Sequence, residues 1–127
     1  SGSRYLSLHP ENDMPPQDRR AINKTMTEEL NRLLNITISD AFCGFKAYRV
    51  STLKAFSFDV DGYEFPMQFW VQAASNCLNI KEVPVRLIYN DPTRTFGGPL
   101  NDPEQRLQHY RDVLAREMKR NPSPCFE

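Results

Sequence analysis

Neither sign of charge is in excess in this chain: 16 Lys and Arg stand against 16 Asp and Glu, interspersed along 127 residues. No electrostatic footprint for nucleic acid or for an anionic membrane surface is therefore expected. Cysteine is sparse and unpatterned. Cys43, Cys77 and Cys125 are odd in number and lack Cys-x-x-Cys spacing, which argues against a disulfide framework and a zinc site and fits a reducing cytoplasm. No apolar run approaches the roughly 20 residues a spanning helix needs, and no charged-then-apolar signal pattern stands at the N-terminus. Internal repeats and low-complexity tracts are missing too. What remains suits one domain with one core.

Helical periodicity is the clearest positive signal. From Asp18, a suitable N-cap, Ile22, Met26, Leu30 and Leu33/Leu34 recur on one face, predicting a helix over 19–34 that ends near Asn35. Pro66 suits the first turn of a second, buried helix reaching about Asn76, with Phe65, Phe69 and Ala73 in line beside Trp70 and Val71. Asp102 as N-cap, Pro103 and Glu104 open a third helix to Arg120, with Leu107, Tyr110, Leu114 and Met118 as its buried stripe. Ser51 reads as the cap of a short helix through Phe56. Strands are expected over 2–6, 45–48 and 83–89, where Val83, Val85, Leu87 and Tyr89 alternate and Pro84 points to an edge or a bulge. Residues 9–16 and 91–99 read as loops, and 121–127 as a frayed tail. The expected class is α/β, one small mixed sheet covered by the helices near Arg19 and Pro66.

The chain reads as organised around Asp40-Ala41-Phe42-Cys43-Gly44-Phe45-Lys46-Ala47-Tyr48-Arg49, answered by Gly62-Tyr63-Glu64-Phe65. An acid, a glycine between aromatics and a basic flank, followed by a second acid, reads as part of an active site. Glycine there allows close approach of backbone to a ligand. Asp59-Val60-Asp61 resembles a metal-binding Asp-x-Asp, but two acids before Gly62 read as turn chemistry. His9, Glu11 and Asp13 read as loop composition, His109 as one polar residue on a charged helix, and Cys43 as a buried, inert thiol.

Four blocks in order, Gly-Ser-Arg-Tyr at 2–5, Asp-x-x-x-Gly-Phe-x-Ala-Tyr-Arg at 40–49, Gly-Tyr-Glu-Phe at 62–65 and Glu-Val-Pro at 82–84, resemble family 2 glycosyltransferases. The likeness is to the dolichol-phosphate mannosyltransferase-like branch and runs from about Gly2 to about Tyr89. It implies part of a GT-A, Rossmann-like catalytic domain, the C-terminal, acceptor-side portion, with residues 91–127 adding a loop and a terminal amphipathic helix. In that family the nucleotide-sugar half, with its Asp-x-Asp motif, lies before Gly-Ser-Arg-Tyr. The resemblance therefore implies a divalent metal (Mg or Mn) held outside this chain, and no transfer by these 127 residues alone. The implied reaction moves a sugar, with inversion, from a nucleoside-diphosphate sugar to a lipid-phosphate or other hydroxyl or phosphate acceptor. It implies a cytoplasmic protein, peripheral at the membrane, with donor and acceptor as partners and self-association through an uncovered sheet edge.

Carried over by the same likeness, Asp40 and Glu64 are the catalytic carboxylates, while Arg4, Arg19, Arg20 and Arg94 bind donor or acceptor phosphates. Gly44 and Phe45 form the cleft floor. Where the family has serine shortly after the arginine pair, this chain has Asn23. Plainer roles stand beside these: a turn cap for Asp40, a helix N-terminus for Glu64 and solvated faces for the arginines. The alternative function is a non-catalytic binding module presenting Phe69, Trp70 and the helix 103–120.

Overall fold

The computed structural model describes residues 1–7, 9–89 and 93–122, so the expectations placed on 90–92 and on the tail beyond 122 lie outside the described residues. The fold is mixed α/β and mostly helical, with a two-stranded parallel sheet. Helix α1 spans Gln17–Leu34 and buries Ile22, Met26, Leu30 and Leu34, the stripe its periodicity predicts. Asp18 is not its cap. The helix starts two residues earlier, at Gln17, behind Pro16, which makes no side-chain cap, and the Asp18 carboxylate instead accepts from Arg106 at 2.9 Å. Its end is as expected: Asn35 takes the left-handed conformation, φ 53°.

Helix α2 (Phe65–Ser75) is buried from Met67 to Ala74, including Gln68 and Gln72. Helix α3 (Pro103–Arg120) begins as predicted, with the Asp102 carboxylate accepting the Glu104 N–H at 3.0 Å. Helix α3 packs against both α1 and α2. Buried amides need partners, and the two glutamines, one turn apart on the same face of α2, both donate to Glu117 of α3, at 3.1 and 2.7 Å. Trp70 sits 1% exposed at the centre and donates its indole N–H to Ala41 O at 2.9 Å. Phe69 and Trp70 therefore belong to the core and are not a partner surface.

The sheet is smaller than its sequence pattern suggests. Strand β1 (Gly2–Ser3) pairs in parallel with β2 (Val83–Pro84), Gly2 opposite Val83. Residues 45–48 form no strand: a single ladder-like bond, Gly2 N–H to Phe45 O at 2.7 Å, ties them to β1. Beyond Val85 the expected strand is held by the preceding loop instead. Leu87 N–H and Tyr89 N–H donate to the side chains of Asn12 and Asp13 at 2.8 and 2.6 Å. Residues 50–55 form a 3₁₀ helix, Val50–Ala55, in which Thr52, and not Ser51, bonds back to Arg49 O.

Cys77 is disulfide-bonded, so the cysteine pattern, read from sequence as arguing against a disulfide framework, does not exclude a disulfide. Cys43 is free and buried. Among the described residues, no helix is long and apolar enough to cross a membrane.

Candidate functional site

The site is built on side chains that substitute for missing sheet. After α1 turns, the Asn31 side-chain amide bonds both ways to the Ile38 backbone, at 2.8 and 2.9 Å, which fixes the approach to Asp40. Glu82 accepts from Ser39 N–H and Oγ–H at 2.9 Å, and the Ser39 hydroxyl lies 2.6 Å from that of Ser3. Three of the four sequence blocks are thereby drawn to one point.

Asp40 is fully buried. It accepts from Arg4 N–H, Nε and Nη2 at 3.0, 2.7 and 2.9 Å, from Asn23 Nδ2 at 2.9 Å and from Phe42 N–H at 3.3 Å. Burial pushes its carboxyl up, but the hydrogen bonds and charge of Arg4 and the Asn23 amide more than offset this and hold it below the usual carboxylate range. Burial likewise lowers the Arg4 pKa, and Asp40 more than restores it, leaving it above the ordinary value.

Arg4 faces a cavity of about 700 Å³. Among the described residues, five arginines line it, Arg4, Arg19, Arg86, Arg94 and Arg106, and no Asp or Glu does. Aromatic side chains fill the intervals. Phe96 lies between two guanidinium groups, Arg19 at 4.8 Å and Arg106 at 4.1 Å from its ring, and meets Tyr63 edge-on at 5.0 Å. Such stacking is stabilised by the ring quadrupole. Arg106 is anchored by Asp18 and Leu100 O, and Arg19 Nη2 donates to Arg94 O at 2.9 Å, tying Arg94 to α1. Burial pushes the Tyr110 hydroxyl up to about 12, so this cavity wall stays neutral at physiological pH.

Of the residues singled out from sequence, Arg4, Arg19, Arg94 and Gly44 share this cavity. A Cβ at Gly44 would meet nothing within 4 Å. Asp40 stands behind Arg4 and does not line the cavity. Neither does Glu64, whose carboxylate lies 3.4 Å from His109 Nε2, nor Arg20, stacked on Tyr5 at 3.8 Å. Phe45 is 71% exposed and lines a separate cavity of about 620 Å³ with Lys46, Tyr48 and Trp70. The Asp59 carboxylate is taken up by Gln68, Arg116 and Arg120, and among the described residues no three His, Cys, Asp or Glu side chains gather as metal ligands.

Sequence reasoning assigned no role to Arg86, Phe96 and Arg106, and marked Asn23 only as a departure from the family's serine. Arg106 carries a readable signal, since it precedes Tyr110 and Leu114 by four and eight positions and so falls on the buried stripe, where it is 2% exposed. Arg86 gave none, because its contacts with Glu11 come from far along the chain. No family model, no curated protein and no solved structure matches the chain.

Proposed function

We propose that this chain is the acceptor-side part of a family 2, GT-A glycosyltransferase, and that its arginine-lined cavity receives phosphate groups while a sugar passes, with inversion, from a nucleoside-diphosphate donor. One observation carries the reading. Among the described residues, a chain with balanced charge gathers five arginines and no carboxylate in the lining of one cavity of about 700 Å³, with Arg4, Arg86 and Arg106 each paired to an acid outside that lining, an arrangement that suits bidentate phosphate binding. In the transfer, the bond from the anomeric carbon to the diphosphate breaks as the acceptor oxygen bonds to that carbon, so negative charge grows on the leaving diphosphate. Guanidinium groups already in place stabilise that charge.

The same geometry favours a phosphate acceptor in this reading. A hydroxyl acceptor needs a base, and neither Asp40 nor Glu64 lines the cavity. An acceptor that is itself a phosphate needs only positioning, and the apolar walls at Ile22, Leu87 and Ile88 suit an apolar chain attached to it. Asp59 and Asp61 do not fit a cation, because Asp59 is held by two arginines. In such an enzyme Mg or Mn would be held by a motif outside this chain.

The test is sugar transfer in a polypeptide that joins this chain to a donor half, using labelled nucleotide sugars and a prenyl phosphate. Arg94→Ala and Arg19→Ala are each expected to lower kcat/KM by roughly tenfold or more, while Lys81→Ala, in the other cavity, leaves it unchanged. Equal rates in all three variants would overturn the proposal. So would transfer by the 127-residue chain alone.

A further inference from the structure

We infer that Asp40 is a positioning residue, a buried carboxylate that fixes the Arg4 guanidinium so that its remaining N–H groups meet a phosphate in the cavity. The inference rests on the phosphate-binding reading of that cavity and gives Asp40 a role other than proton transfer. A base must reach the proton it takes. Asp40 is fully buried, and five donors already occupy its two oxygens.

Those donors define a mount for Arg4. Asp40 Oδ2 accepts both the backbone N–H and Nε of Arg4, while Oδ1 accepts Nη2, so one carboxylate holds the main chain and the side chain of the same residue. The fork consumes one edge of the guanidinium. Nη1 makes no hydrogen bond to a described residue, and the Arg4 side chain, 23% exposed, lines the cavity. The mount is itself braced from α1. Asn23 Nδ2 donates to Asp40 Oδ1, Thr27 Oγ1 donates to Asn23 Oδ1 at 3.1 Å, and Thr27 Oγ1 accepts Ala41 N–H at 3.1 Å. A guanidinium fixed in this way loses little rotamer freedom when it binds an anion, which strengthens binding without any new contact.

The two roles predict different losses. Removing a base lowers turnover and spares affinity, whereas removing a positioning residue lowers affinity through Arg4 alone. Calorimetric titration of the 127-residue chain with inorganic pyrophosphate separates them. Wild type is expected to bind, and Arg4→Ala and Asp40→Asn are each expected to raise Kd by roughly tenfold. The double variant should bind no more weakly than Arg4→Ala, since Asp40 acts only through that side chain. Losses that multiply in the double variant, or Asp40→Asn binding like wild type, would overturn the inference and leave the cavity reading standing. Absence of binding by wild type would overturn both. Should Asp40→Asn fail to fold, Arg4→Lys decides: it keeps the charge and loses the fork, so it should bind as weakly as Arg4→Ala, and wild-type affinity would refute the inference.

Discussion

Asp40 and Arg4 were both chosen from sequence, for separate tasks, yet 36 positions apart they form one ion pair. Residue identity could not show that the acid is consumed by the base. The pairing has a pH consequence whose sign is fixed. The folded-state carboxyl lies below its ordinary value, and an unfolded Asp titrates near about 3.9. The stabilisation is therefore complete above about pH 4 and is lost as pH falls through the folded value. Urea titrations across pH should show wild-type stability dropping below about pH 4, and Asp40→Asn, about 3 kcal/mol less stable at pH 7, should show a flatter acid limb. An equally steep limb in the variant would show that another carboxylate governs acid unfolding.

Helices were legible because their apolar stripes repeat often enough to be seen over 18 residues, as in α1 and α3. The strands were not, because two residues such as Gly2–Ser3 carry no period, and the alternation at 83–89 is satisfied by loop side chains, not by a neighbouring strand. Glu117 was likewise hidden. It reads as a surface residue of an amphipathic helix but is 1% exposed and joins α3 to two glutamines of α2. Glu117→Ala leaves two buried amides short of an acceptor and is expected to cost about 3 kcal/mol in urea unfolding. A loss near zero would mean that water replaces the carboxylate. The cavity-lining segment 94–96 is tied by Phe96, whose N–H and that of Gly97 donate to Asn101 Oδ1 at 3.1 and 3.2 Å. With Phe96→Ala the clamp between Arg19 and Arg106 is gone, so the Gly97 amide should exchange its hydrogen faster. Unchanged exchange would show that Asn101 alone holds the loop.

Across the molecule, three helices carry the core, and the small sheet brings the sequence blocks to one corner. The order of those blocks was legible from sequence; their meeting depends on the bonds among Ser3, Ser39 and Glu82, whose pairing no local pattern encodes. A two-stranded sheet leaves edges that favour pairing with another chain. Light scattering at high concentration should therefore report association, and a mass fixed at that of one chain would contradict this. Whether the arginine-lined cavity is a phosphate site is open to direct observation by amide resonances of the ¹⁵N-labelled chain during titration with inorganic pyrophosphate. Saturable shifts are predicted at Tyr5, Gly44, Gly62, Tyr63 and Phe96, around the larger cavity, with Thr52, Leu78 and Lys81 of the other cavity unmoved. Shifts centred on Thr52 and Lys81, or no saturable shift anywhere, would contradict it.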